Sequence, residues 1–235
     1  MRFARRLDRL AKRYDLPPGA DGALGRLVDL VCADPTAPTA VRDPATVIDA
    51  HIADALVALE LEPVRGARRI ADLGSGAGFP GLVLAAALPE AEVALVEANR
   101  RKCAFLERAV EAMGLGNVEV VPERAESWSA GIGTRDLIAA RAVAPLPVLV
   151  EYAAPLLMLG GAFVAWKGRR DGAEDADGVA AAAATGLEPV EIRPVSPWDG
   201  AEHLHLHLYV KVGQTPNRFP RRPGIASKQP LRASS

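Results

Sequence analysis

One stretch constrains this chain more than any other: Arg69-Ile70-Ala71-Asp72-Leu73 runs directly into Gly74-Ser75-Gly76-Ala77-Gly78-Phe79-Pro80-Gly81. A short apolar strand that empties into alternating glycines and then a helix leaves the backbone bare at the turn. A ligand's polar or charged group approaches there where a Cβ would block it, and the turn can take positive φ. Gly74, Gly76 and Gly78 supply the bareness. Pro80 suits the first turn of a following helix, whose free N–H groups face the ligand. The expectation is a nucleotide-type cofactor held at the edge of a Rossmann-like α/β sheet.

The rest of the chain supports that architecture. After Arg68, apolar strand-like runs alternate with helical ones. Strands are expected at Arg69 to Leu73, Glu92 to Val96, Val118 to Val121, Asp136 to Ala139 and Ala162 to Trp166. Helices are expected at Phe79 to Leu88, Asn99 to Met113, Pro145 to Leu157 and around Val179 to Ala184. Gly160-Gly161 reads as a turn. This alternation gives a mostly parallel twisted sheet covered on both faces. Two final strands, Leu187 to Val195 and His203 to Val212, leave no room for a crossover helix and read as a C-terminal antiparallel hairpin. Ahead of the core, apolar positions at helical spacing (Leu7, Leu10, Tyr14; Leu24, Leu27, Val28, Val31) and the cap Asp43-Pro44 indicate an N-terminal helical extension. The expected organisation is therefore helical residues 1–66, an α/β core over 67–213, and a basic, flexible, extended tail over 214–235.

The glycine run alone does not choose the cofactor. Gly76-x-Gly78-x-x-Gly81 also fits the dinucleotide fingerprint, and Glu97, at the end of the second strand, suits ribose hydroxyls in either case. Two features favour S-adenosyl-L-methionine. Asp72 precedes the first glycine, where a carboxylate suits a cationic methionine moiety and gains nothing beside a phosphate. The third strand is followed by Ala125-Glu126, near where an adenine would lie. The main enzyme alternative is a methyltransferase acting on another substrate, protein or small molecule; a nicotinamide-dependent oxidoreductase is the second, and an RNA-binding or assembly protein is the non-enzymatic one.

Charge narrows the partner. The net charge of −1 conceals an asymmetry: residues 1–13 hold six Arg/Lys and one acid, and residues 203–235 hold six Arg/Lys and none. The body between them carries 16 basic and 28 acidic residues. Basic ends on an acidic body suit either a polyanion gripped by the termini, with contacts at Lys211, Arg218, Arg221, Arg222 and Lys228, or tails that dock on their own body. Two cysteines, Cys32 and Cys103, read as reduced thiols without disulfide or metal-ligand spacing. His203-x-His205-x-His207 would share one strand face, read as the polar side of an edge strand. No metal site is expected. No apolar run reaches membrane-spanning length and no secretory signal is evident, so a cytoplasmic protein is expected.

A specific resemblance extends well beyond the loop. Asp72 to Gly81, Lys102-Cys103-Ala104-Phe105-Leu106, Asn117-Val118, Arg124-Ala125-Glu126, Ala140-Arg141-Ala142-Val143-Ala144 and Lys167-Gly168 occur in the order found in one family. So do Thr39-Ala40-Val41-Arg42-Asp43-Pro44 and His51-x-x-Asp54 upstream, and Arg218-Phe219-Pro220-Arg221-Arg222-Pro223-Gly224 with Lys228 and Pro230-Leu231 downstream. Over residues 36–232 the chain resembles the bacterial small-subunit ribosomal RNA guanine-N7 methyltransferases, also called glucose-inhibited division protein B. It departs from them in Ala55 for serine, Ala37-Pro38 for Asn-Leu and Ser75 for threonine. The resemblance implies a class I methyltransferase fold and S-adenosyl-L-methionine contacts at Gly74, Phe79, Ala125, Glu126 and Arg141. It also implies methylation of a guanine N7 in 16S ribosomal RNA of the small ribosomal subunit, by a protein expected to be a monomer. Guanine N7 offers a free lone pair and no proton. Catalysis is therefore expected to be positional, with Arg141 and Lys167 orienting cofactor or RNA phosphate and no general base.

Overall fold

The computed structural model describes residues 3–233. Its centre is a sheet of strands β1 (Arg69–Leu73), β2 (Glu92–Val96), β3 (Val118–Val121), β4 (Arg135–Arg141), β5 (Leu157–Lys167), β6 (Leu187–Val195) and β7 (Leu204–Lys211). Their order is β3-β2-β1-β4-β5-β7-β6. The first five run parallel, and β7 lies antiparallel between β5 and β6. The strand order reverses at β1 and β4, the place where ligands sit in open α/β sheets.

Around it are α1 (Ala4–Tyr14), α2 (Ala20–Ala33) and α3 (Pro44–Val47). A π-helical turn, Ile48–Ala53, follows, then α4 (Asp54–Leu56), a 3-10 turn Val57–Glu60 and α5 (Glu62–Arg65). The crossover helices are α6 (Gly81–Ala87), α7 (Arg100–Met113), α8 (Leu146–Ala153) and α9 (Gly172–Thr185), and a short α10 (Ile225–Lys228) closes the chain. The expected caps form: Asp43 accepts from the Thr46 N–H at 2.8 Å with Pro44 at the first helical position, and the Asn99 side chain caps α7. Both satisfy N–H groups that a helix start leaves unpaired.

Alternation along the strands divides the core. Ile70, Leu95, Leu137, Ala139, Val164 and Trp166 face the layer that holds the N-terminal helices, α6 and α7. Leu73, Val96, Ile138, Ala140 and Phe163 face α8, α9 and α10. Asp72 lies two residues from Ile70, and Arg141 two from Ala139, so both point into the first layer. On α2, Leu24, Leu27, Val28 and Val31 are fully buried. Burying each such side chain is worth about 1.5–3 kcal/mol, which fastens the N-terminal helices onto this face. No helix among the described residues is long and apolar enough to cross a membrane.

Four local expectations change. The helix after Pro145 stops at Ala153, and strand β5 begins at Leu157, so Gly160-Gly161 lies inside the strand. There Gly160 takes φ +80° and the β4–β5 register shifts between Arg135 and Leu137. The helix after the glycine loop starts at Gly81 rather than Phe79. Strand β7 is internal and β6 is the edge, where Pro189 and Pro194 are tolerated because one side of the strand needs no ladder bonds. The histidines therefore do not form an edge-strand face. His203 precedes the strand with φ +59°, His205 is half-buried, and His207 is buried in the sheet, its ring nitrogens without hydrogen-bond partners.

The tail also differs from the extended segment expected. Phe219 is buried, Ala226 is buried in the second layer, and Leu231 packs against that layer. Its Pro- and Arg-rich composition lacks helical or strand periodicity, yet two apolar anchors and an ion pair described below draw it onto the body.

Candidate active site

The C-terminal ends of β1, β2, β3 and β4 enclose a cavity of about 340 Å³. Gly74, Glu97, Ala125 and Glu126 line it together, with Ala142 to Ala144 from the loop after β4. Gly74 takes φ +69°, and a Cβ there would lie 2.8 Å from Val143 Cγ2. Gly76 (φ +56°) donates its N–H to Glu97 Oε2 at 3.1 Å, while Glu97 Oε1 accepts from the Asn99 N–H at 2.8 Å. Two backbone donors thus fix the carboxylate, which is only 7% exposed. Ala142 is a non-glycine residue at φ +55°, a conformation such residues hold at a cost and often near functional sites.

Behind the glycine loop sits a second set of expected residues. Asp72 is 1% exposed; its Oδ2 accepts from the Gly81 N–H at 3.0 Å, and its Oδ1 is buried without a partner. Burial dominates and pushes its pKa up to about 6, against the hydrogen bonds from Gly81 and Ser75. An orphaned carboxylate oxygen beside a bare glycine turn is suited to a cation.

Arg141, at the end of β4, is held by the N-terminal helices. Its Nη1 donates to Asp54 Oδ2 at 2.8 Å and to the Ala50 carbonyl at 3.0 Å, and its Nη2 lies 3.2 Å from His51 Nδ1. His51 Nδ1 also lies 2.9 Å from the Ala50 carbonyl, and its Nε2 lies 3.2 Å from Thr39 Oγ1, so the ring is held from both nitrogens. Burial, then the neighbouring Arg141 charge, push His51 down to about 4. Burial also holds Asp54 above the usual carboxylate value despite Arg141. Trp166, registered beside Arg141 on β5, donates its indole N–H to the Asp54 carbonyl at 2.7 Å. Phe79 is 5% exposed, with its ring centroid 4.6 Å from that of His51 and 5.5 Å from the Arg141 guanidinium carbon. Phe79 and Arg141 thus clasp the N-terminal helices to the glycine loop rather than lining the cavity.

His51 and Asp54 enter this centre unassigned by the sequence reading. Their i, i+3 spacing marks a shared helical face, but only the π-helical turn and the packing of the helices on the sheet show which residue that face meets. Lys167 pairs with Glu174 at 2.6 Å, away from the cavity wall.

The basic residues divide into free and engaged. Arg218, Arg222 and Lys228 are exposed. Lys211 is 4% exposed: its ammonium donates to the Ala154 carbonyl at 2.5 Å, near the end of α8, and to Thr185 and Thr215. Strand β7 is covered on both faces, so the ammonium of its last lysine, expected as an exposed charge, is enclosed and caps helix ends. Arg221 is also engaged, with buried Glu151 at 2.6 Å.

The family model described as rRNA small subunit methyltransferase G matches residues 36–199. Its namesake from Rubrobacter xylanophilus is 44% identical over 197 residues, 81% of this chain and 76% of that one. That from Desulfitobacterium hafniense is 39% identical over 196 residues, 82% and 81% of the two chains. Among solved structures, an S-adenosylmethionine-dependent O-methyltransferase from Thermotoga maritima superposes with a TM-score of 0.53 at 19% identity, covering 69% of this chain and 66% of that one. The Methanococcus jannaschii fibrillarin pre-rRNA processing protein gives 0.54 at 17%, covering 66% and 70%. These likenesses show a class I methyltransferase fold. The chain belongs to the rRNA small subunit methyltransferase G family.

Proposed function

We propose that this protein transfers the methyl group of S-adenosyl-L-methionine to N7 of a guanine in 16S ribosomal RNA. The observation that carries the reading is the cavity at the strand-order reversal, where the bare backbone of Gly74 and the fixed carboxylate of Glu97 face one space. When bound, S-adenosyl-L-methionine supplies an electrophilic methyl group on a sulfonium. Glu97 is suited to ribose hydroxyls, Ala125 and Glu126 to adenine, and Asp72 to the cationic methionine end. Phe79 acts one layer behind, by seating Arg141.

Guanine N7 carries no proton, so the protein's work is positioning. Arg141, oriented by Asp54, His51 and Phe79, directs cofactor or RNA phosphate at the reversal point. The exposed Arg218, Arg222 and Lys228, with Arg5 and Arg9 on α1, offer charge to the RNA backbone. In this reading the protein acts as a monomer in the cytoplasm, on the small ribosomal subunit or its RNA.

The test is methyl transfer from labelled S-adenosyl-L-methionine to naked 16S RNA and to small-subunit particles, with the product nucleoside identified by mass spectrometry. 7-Methylguanosine is the expected product. Label in any other nucleoside, or none in RNA, overturns the assignment.

A further inference from the structure

The cavity has a wall that the cofactor motifs do not contain. Ser227 lines it from α10, beside Tyr152 of α8, and the Tyr152 hydroxyl lies 3.2 Å from Ser227 Oγ. Three residues earlier, the Gly224 N–H donates to Glu126 Oε1 at 3.1 Å. Glu126 is the carboxylate assigned to adenine, and its side chain is only 4% exposed. The segment that reaches the cavity is clamped just upstream. Glu151 on α8 is fully buried and receives the Arg221 backbone N–H at 3.1 Å, Nε at 2.9 Å and Nη2 at 2.6 Å. Arg221 Nη2 also donates to the Gln229 carbonyl at 2.9 Å, closing 221–229 into a loop. Phe219, upstream of the clamp, and Ala226, between Gly224 and Ser227, are both buried.

The geometry points to residues 219–229 as a strap that forms part of the cofactor pocket, with Arg221 and Glu151 as positioning residues that hold Gly224 and Ser227 against Glu126 and Tyr152. This rests on the proposed function, since the ligand is taken to be an S-adenosyl compound. A buried carboxylate is tolerable only while its partner stays, so the pair makes docking close to all-or-none. A ligand that touches Glu126 and the Ser227 side of the cavity favours the docked strap, and by linkage the docked strap favours that ligand. Arg222 and Lys228 ride on the strap and Arg218 directly precedes it, all with their side chains exposed, so docking also fixes where those charges stand relative to the cavity. The tail is thereby part of the cofactor site as well as a carrier of positive charge.

The experiment uses the full chain with S-adenosylhomocysteine as probe. Its affinity is measured by calorimetry for the wild type, Arg221→Gln, and the neutral double variant Glu151→Gln/Arg221→Gln. Trypsin cleavage after Lys228 is followed with and without the probe. Arg221→Gln should weaken binding about tenfold, within the usual range of coupling between sites, while kcat at saturating cofactor changes less than about twofold. The double variant, which removes the unpaired buried charge, should recover part of the affinity. In the wild type the probe should slow cleavage at least about fivefold, as ligand-stabilised segments open less often. Unchanged affinity in a folded Arg221→Gln protein overturns the strap. If that variant does not fold, the wild-type cleavage decides, and a rate indifferent to the probe overturns it. A wild type that binds no S-adenosylhomocysteine removes the proposed function and the strap with it. Binding without strap linkage removes the strap alone.

Discussion

Arg141 reaches Asp54 across 87 positions of sequence, with Nη1 2.8 Å from the carboxylate. Both side chains are largely buried, at 15% and 10% exposure, and this contact joins the end of β4 to the N-terminal helices. The guanidinium also reaches the Ala50 carbonyl and His51, so its orientation is set by the helical extension rather than by the sheet that carries it. Arg141→Ala should therefore cost turnover about a hundredfold or more, the scale of a misplaced reacting group. It should also cost about 3–5 kcal/mol of stability, because Asp54 is left buried and unpaired. Asp54→Asn should reproduce much of the turnover loss although Asp54 is not on the cavity wall. The double variant should then be far less impaired than the sum of the singles. Steady-state kinetics and thermal unfolding of the four proteins measure this; additive losses would mean the two residues act apart.

Asp72 makes a pH-dependent prediction with a definite sign. Its folded pKa is raised from 3.8 to about 6, chiefly by burial. The folded state therefore holds this proton more tightly than the unfolded chain, so Asp72 lowers stability as pH rises through that interval. Above pH 6 the ionised carboxylate costs up to about 3 kcal/mol; below about pH 4 it costs nothing. Asp72→Asn should raise the unfolding free energy at pH 8 relative to wild type, with the gain fading to zero by about pH 4. The comparison with wild type at each pH is needed because His51, depressed from 6.5 to about 4, slopes oppositely and loses stability as pH falls. The same variant should bind S-adenosyl-L-methionine more weakly, since it loses the charge suited to the cationic end. An Asp72→Asn protein that is less stable at pH 8 and binds cofactor normally would refute the role given to the orphaned oxygen.

Much of this site is local in sequence. The strand, the glycine turn and Glu97 lie within thirty residues, and each element announces itself through alternation, caps or bareness of the backbone. The expected strands β2 and β3 match the observed bounds for that reason. What escapes is set by distance or by coverage. The His51 and Asp54 face meets Arg141 only after the helices pack on the sheet. Lys211 reads as a free charge near a basic terminus, but β7 turned out to be internal, so its side chain is enclosed. Gly160-Gly161 carries the composition of a turn while lying in a strand whose register shifts. The tail has no periodicity to read; its place is decided by the buried Phe219 and Ala226 and the partner Glu151, none of which signals another in sequence.

The division of the basic residues predicts a pattern in salt dependence. Each phosphate contact contributes close to one unit to the slope of log affinity against log salt. Arg218→Ala, Arg222→Ala and Lys228→Ala should each weaken RNA binding and flatten the slope by about 1 or less. Lys211→Met should leave the slope unchanged and instead lower stability. It strips donors from the Ala154 and Thr185 carbonyls and from Thr215, each worth about 0.5–1.5 kcal/mol, more where the donor is charged. Filter binding across a salt series, beside thermal melts, separates the two classes. A flattened slope for Lys211→Met would mean its ammonium leaves the interior to meet RNA.

Gly81 offers the sharpest test of why the loop needs glycine. It is the first residue of α6, and a Cβ there would stand 2.4 Å from Leu95 Cδ2 and 2.7 Å from Asp72 Oδ2. Both neighbours are buried and fixed: Leu95 is in the core, and Asp72 Oδ2 already accepts the Gly81 N–H. The methyl group of Gly81→Ala therefore cannot be absorbed by a side chain swinging into solvent. The helix start or Asp72 must shift, at about 1–3 kcal/mol, the usual cost of overpacking. A displaced Asp72 also loses its place behind Gly74, so cofactor affinity should fall together with stability. Gly116→Ala, where a Cβ meets nothing within 4 Å, serves as the control and should leave affinity unchanged and stability within about 0.5 kcal/mol. Calorimetry with S-adenosylhomocysteine and thermal melts on the pair suffice. If Gly81→Ala matches the control in both, the contact between the helix start and Asp72 does not hold the site.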